Sequence, residues 1–241
     1  MKNPLKAYEN IDFLKSPHCR EIRLQLEHLH PEVMMSRNNI NSTIVLFGSA
    51  RVPSPEKAEA GTKIAELVPF YEEARKLSQI VSTTCQTNHE CEYVIITGGG
   101  GGIMEAGNRG AQEVGAKSIA LNITLPHEQE PNPYVTEDLC FCFHYFSMRK
   151  MHFLQRAKAV CIFPGGFGTF DELFEALTLI QTGKIEPMPV ILFGAEHWKR
   201  IVDWEYMAEY GLINPKDLDL ITFCDTAEEA WATIGAFYTS D

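Results

Sequence analysis

The chain of 241 residues contains no run of lysine or arginine, and its formal net charge is −11. A nucleic-acid duplex or an anionic membrane surface repels such a chain unless a basic patch is set apart. Neither is expected as a partner. A small anionic ligand remains compatible, because a few local donors can hold it against the overall field. No stretch approaches the roughly 20 apolar residues that span a bilayer, and Met1–Asn10 holds no apolar core of a secretory signal. The seven cysteines are odd in number and scattered from Cys19 to Cys224, with no C-x-x-C pair. That argues against a disulfide framework and against zinc, and predicts reduced thiols in the cytoplasm. Cys140 and Cys142 alternate within an apolar run and are read as one face of a strand. Also missing are G-x-x-x-x-G-K-[ST] and G-x-G-x-x-G, so Walker-type ATP hydrolysis is out and a dinucleotide cofactor is unsupported. No metal and no cofactor is expected.

What is present is ordinary globular material, 45% hydrophobic and 22% charged. Residues 5 to 38 are expected to be helical, with Ile22, Leu26, Leu29 and Val33 at helical spacing as a packing stripe for the main domain or a second subunit. From Thr43 the pattern changes to short apolar runs, each followed by a turn and a helical segment. The runs are 43–47, 93–96, 118–121, 139–143, 159–163 and 189–193, the last leading into a helix holding Trp198 and Trp204. Continuous apolar strands alternating with helices predict a parallel sheet covered on both faces. The fold class is therefore α/β, a Rossmann-like doubly wound sheet. It is divided into a helical extension over 1–42 and a nucleotide-binding catalytic domain over 43–241. Ligands in such sheets bind beyond the carboxyl ends of the strands. The segment 124–138 holds three prolines and no period, and is either a lid or a surface detour.

Two glycine-rich loops follow strands. The first is Gly98-Gly-Gly-Gly-Gly102 with Ile103 and Met104, whose unshielded backbone is expected to approach a phosphate or ribose. The second is Pro164-Gly-Gly-Phe-Gly-Thr-Phe-Asp-Glu172, in which Gly165, Gly166 and Gly168 open a turn and Thr169 begins a helix. Phe170, Leu173, Phe174, Leu177 and Ile180 form the buried stripe of that helix. Bare amides at its start are a ready anion site. Glu172 fits two roles. It completes a capping box with Thr169, or it supplies a carboxylate beside a phosphate loop. A third segment, Ser147-Met-Arg-Lys-Met-His152, places Arg149 in the first turn of a helix capped by Ser147. A cation is disfavoured there by the dipole, which suggests an anionic ligand, while His152 and Arg156 are read as a solvated polar face.

Pro164–Glu172 matches the P-G-G-x-G-T-x-x-E motif of the Lonely Guy family, long labelled lysine decarboxylases. Met148-Arg-Lys150 resembles that family's second motif, Gly98–Met104 its nucleotide loop, and Gly48-Ser49-Ala50 its first turn. The resemblance covers roughly residues 43 to 225. It implies cleavage of the N-glycosidic bond of AMP or of N6-modified AMP (cytokinin ribotides) to free base and ribose 5-phosphate. It also implies Arg149 and Glu172 as the catalytic pair. Gly48, Ser49, Gly99, Gly100, Gly102, Met104, Met148, Lys150, Gly165, Gly166, Gly168 and Thr169 are implied to surround the nucleoside monophosphate. The residues support this chemistry on their own terms. Breaking the bond develops an oxocarbenium-like cation, and Glu172 is the carboxylate beside a phosphate loop that can offset it. Asp171 is expected to point elsewhere. Lysine decarboxylation would need pyridoxal phosphate on a lysine, for which Lys150 is a poor candidate. The alternative is a nucleotide or pterin-cofactor carrier without hydrolase activity. A homo-oligomer, at least a dimer, is expected from the apolar stripes.

Overall fold

The computed structural model describes residues 4–86, 91–124 and 130–239. The chain opens with two helices, α1 (Ile11–Lys15) and α2 (Arg20–Arg37). The single helix expected over 5–38 is broken between them, because Pro17 forces Ser16 into extended backbone (ψ 157°). The core domain then runs β1 (Thr43–Phe47), α3 (Val68–Cys85), β2 (Val94–Thr97), α4 (Ile103–Glu113), β3 (Ser118–Ile123), β4 (Cys140–Phe143), α5 (Phe146–Gln155), β5 (Ala157–Ile162), α6 (Phe167–Gln181) and β6 (Val190–Phe193). It closes with α7 (Ala195–Ile201), α8 (Trp204–Glu209), β7 (Ile221–Cys224) and α9 (Ala227–Thr239).

The strands form one seven-stranded parallel sheet in the order β4-β3-β2-β1-β5-β6-β7. β1 is its spine, pairing Val45 with Ile96 on one side and with Val160 on the other. Every residue of β1 is buried, since helices cover both faces. Ile44 and Leu46 meet Tyr71, Leu77 and Ile103 of α3 and α4. Val45 and Phe47 belong to the opposite cluster with Met35, Phe153, Leu173 and Trp198. Strands flanked in this way read as unbroken apolar runs. The segment holding Trp198 and Trp204 is two short helices, with Val202 and Asp203 between them. Cys140 and Cys142 share the less buried face of β4 at the sheet edge.

α2 packs on α5, and Met35 and Ile40 enter the core. The stripe of Ile22, Leu26, Leu29 and Val33 does not face the domain; all four side chains are exposed. Among the described residues, no helix is long and apolar enough to cross a membrane.

Candidate functional site

The strand order reverses between β1 and β5: the chain builds outward from β1 to β4, then returns to β1's other edge. At such a switch point the loops beyond two neighbouring strands diverge and leave a crevice. Here they are Gly48–Arg51 after β1 and Pro164–Gly168 after β5, tied at their base by the Ser49 amide donating to the Pro164 carbonyl at 3.1 Å. A cleft of about 280 Å³ lies between them. It gathers Gly48, Ser49, Met104, Arg149, Gly166, Gly168, Thr169 and Glu172 among the residues expected at the site. Phe47, Ala50, Arg51, Gly98, Phe146 and Asp171 complete the wall. Asp171 therefore reaches the rim, contrary to expectation.

α6 begins with Phe167, with Gly166 as its N-cap, and no side chain caps it. The first amides of a helix lack the usual intrahelical partner; here the Thr169 amide donates to the Gly166 carbonyl at 3.0 Å, while Gly166 and Gly168 line the cleft with the positive end of the dipole behind them. The start lies two residues before Thr169. Thr169 is thus inside the first turn, and the capping box with Glu172 does not exist. Glu172 lies in the second turn, where its side chain is only 7% exposed. Burial pushes its carboxyl up to about 7, against the pull of Lys150 and Arg149 and with the push of Glu175 and Asp171. Gly165 packs against Thr169, whose hydroxyl would overlap any Cβ there.

Arg149 comes from α5. The helix starts at Phe146 with Tyr145 as N-cap, so Ser147 is not the cap and Arg149 is the fourth helical residue. Its Nε donates to the Leu121 carbonyl at 2.7 Å, and its guanidinium lies over the Phe153 ring at 5.2 Å. Burial lowers its pKa, with Glu172 opposing. The two charges thus share one desolvated space. Lys150 does not line the cleft. It pairs with Asp171 and Glu175 of α6, each at 2.9 Å, and ties α5 to α6. Met148 packs against the core instead. His152 and Arg156 are not a solvated face: His152 is 1% exposed, and Arg156 pairs with Glu32 of α2.

The first glycine loop departs furthest from expectation. Gly98, Gly99, Gly100 and Gly102 are buried, and Gly99, Gly100 and Gly102 are not cleft residues. Their backbone is spent internally. Asn132, from the proline-rich segment, donates through Nδ2 to the Gly99 and Gly100 carbonyls at 3.2 and 3.0 Å and to Asn108 at 2.9 Å. Thr97 donates to Asn108 and accepts from the Gly99 amide. Gly102, at φ +61°, abuts the Ser49 carbonyl. Only Gly98 reaches the cleft, where a Cβ would stand 2.5 Å from Arg149 Nη2 and 2.8 Å from Met104 Sδ. Of the segment 124–138, residues 125–129 lie outside the described residues, and Asn132 in its remainder braces the glycine loop. Asn132 and Asn108 escaped the reading of the sequence, although an asparagine between two prolines is a signal for a fixed turn. Arg51 escaped as well.

A family profile described as possible lysine decarboxylase matches residues 104–234, more than half of the chain. No functionally curated protein matches. Among solved structures, the protein TM1055 aligns at 23% identity and TM-score 0.53, over 80% of this chain and 98% of its own. The molybdenum cofactor binding protein of the phototrophic bacterium Rippkaea orientalis aligns at 19% and 0.53, over 82% and 98%. The molybdenum cofactor carrier protein of Chlamydomonas reinhardtii aligns at 19% and 0.52, over 83% and 99%. At these identities the likeness concerns the fold.

Proposed function

The chain belongs to the Lonely Guy family, often called possible lysine decarboxylases, and from that membership we propose that it hydrolyses nucleoside 5′-monophosphates at the N-glycosidic bond. AMP or an N6-modified AMP is the substrate, and free base and ribose 5-phosphate are the products. The observation that carries this reading is a buried carboxylate, Glu172, sharing a cleft with Arg149 and with the uncapped start of α6. The phosphate sits on the amides of Gly166 and Gly168 and the Thr169 hydroxyl, which fixes the sugar. Glu172, ionised, offsets the cation that develops on the ribose and orients the attacking water. Arg149 binds the nucleotide or assists the departing base. In this reading the extension over 1–42 serves a catalytic unit over 43–241.

The carrier reading has support in the names of two fold relatives, which are molybdenum cofactor binding and carrier proteins. Against it stands Glu172. A protein that only holds an anionic ligand gains nothing from a desolvated carboxylate facing it, since like charges repel. Decarboxylation is disfavoured because, among the described residues, no lysine lines the cleft and Lys150 is held in two ion pairs. A panel of nucleoside monophosphates, assayed for free base and ribose 5-phosphate, tests the proposal. AMP should be cleaved far faster than adenosine, and equal rates would overturn the assignment of the phosphate loop. We also propose a homo-oligomer, for which the exposed Ile22, Leu26, Leu29 and Val33, and Phe167 at 96% exposure, are the support. Light scattering should then report a mass well above 27.2 kDa.

A further inference from the structure

The helix that carries Arg149 begins badly on its own. α5 has no side-chain cap and no acidic residue in its first turn, and Arg149 and Lys150 follow directly. A helix N-terminus bears partial positive charge, so a cation close behind it, as Arg149 is, is unfavourable. In a capping box the remedy is a glutamate at the third helical position, reaching back to the N-cap amide. That position here is Met148.

Glu27 of α2 supplies the missing group across the helix pair. Its two carboxylate oxygens accept from the amides of His144 and Tyr145, at 2.8 and 3.1 Å. Tyr145 is the N-cap of α5, and α2 holds it twice more. Arg23 Nη2 lies 3.3 Å from its hydroxyl, and the Arg20 guanidinium lies over its ring at 5.8 Å. One turn beyond Arg149, buried His152 meets the Glu27 carbonyl through Nε2 at 3.1 Å. At the far end, Glu32 pairs with Arg156, the C-cap of α5. α2 therefore grips α5 before, beyond and after Arg149. All of α2 lies outside the region 104–234 that defines the family match.

We infer that α2 is the positioning element for Arg149, acting chiefly through Glu27 at the start of α5. The inference rests on the second of the two roles proposed for Arg149, assistance to the departing base. Glu27 touches neither the cleft nor the reacting atoms; it sets where α5 begins, and so where the guanidinium of Arg149 lies relative to Leu121 and Glu172. The phosphate loop belongs to α6 and is untouched by this contact. Loosening Glu27 should consequently lower kcat and leave KM nearly unchanged.

The test compares Glu27→Ala and Glu27→Gln with Met35→Ala, whose side chain is buried in the core further along α2. One measurement is solvent exchange of the Arg149 Nε–H, followed by its nitrogen–proton signal and assigned by its loss in Arg149→Lys. The other is kcat and KM for AMP. Glu27→Ala should speed the exchange by about tenfold or more and lower kcat by about tenfold with KM shifted less than about twofold. Glu27→Gln keeps one acceptor oxygen and should fall between. Met35→Ala should lower Tm while both measurements stay at wild type. The proposal is overturned if Glu27→Ala leaves exchange and kcat unchanged, or if Met35→Ala moves them in step with its loss of Tm. If the unaltered protein cleaves no nucleotide, the hydrolase reading falls separately, and the exchange measurement alone decides the positioning role.

Discussion

Two loops of this molecule look alike in composition and are opposites in structure. The loop after β2, Gly98–Gly102, is buried but for Gly101, and its carbonyls are held by Asn132. The loop after β5, Gly165–Gly168, has Gly166, Phe167 and Gly168 exposed and leads into a helix that no side chain caps. In the first, glycine is required by crowding: Gly102 has no room beside the Ser49 carbonyl. In the second, a Cβ at Gly166 or Gly168 would meet nothing within 4 Å. A glycine run thus marks a close approach of backbone to something, and only a count of hydrogen bonds says whether that something is the protein itself or a ligand.

The comparison can be broken most decisively at Glu172, the carboxylate on the helix of the open loop. Glu172→Gln should lower AMP hydrolysis on the order of 10²-fold or more, because the amide carries no charge for the transition state. Its stability should move the other way, and with pH. Below about 4.5 the carboxyl is protonated whether the chain is folded or not. As pH rises toward 7, the folded chain retains a proton that the unfolded chain has released, so wild-type stability declines through that window. The variant has no such decline, and at pH 8 it should be more stable by up to about 3 kcal/mol. Equal melting temperatures at pH 5 and pH 8 for the two proteins would contradict the buried, raised carboxyl.

Gly102→Ala comes next. It combines a left-handed residue with an overlap on backbone, and should cost about 2–3 kcal/mol in urea unfolding. Asn132→Ala should cost about 2 kcal/mol, since it leaves the buried carbonyl of Gly100 unpaired, while Gly99 keeps the Asn132 backbone amide. Gly166→Ala should be the mildest, within about 0.5 kcal/mol of wild-type stability, while raising KM for AMP as the new methyl faces the phosphate position. If Gly166→Ala unfolds the protein and Gly102→Ala does not, the contrast between the loops is wrong.

Much of this was legible beforehand. The strand β1 was read to the residue, because a strand buried on both faces has an unbroken apolar signature between polar ends. The second loop was legible through Pro164–Glu172. Less so were α3 and α9, where apolar residues are diluted by charged ones, and β7, a half-buried edge strand of only four residues. The stripe of α2 was visible as a period, but a period says nothing of which face meets the domain. The chain settled that with Glu27, Glu32 and Met35, leaving Ile22, Leu26, Leu29 and Val33 outside. The locked glycine loop was misread because its partner, Asn132, lies about thirty residues downstream, and contacts across such a span leave no periodic trace.

The central place of β1 has a consequence for the chain as it is made. Its second edge pairs with β5, whose residues follow about 115 positions later. Until β5 leaves the ribosome, a nascent chain can assemble only β1 to β4, and presents Ile44, Val45 and Leu46 on an open sheet edge. That edge is apolar and carries unpaired backbone donors, the kind of surface on which stalled intermediates associate. The same event that closes the edge brings the β5 loop against the β1 loop. Covering the second edge of β1 and forming the cleft are therefore one step in biosynthesis, and a truncated product ending before Ala157 would be both inactive and prone to aggregate.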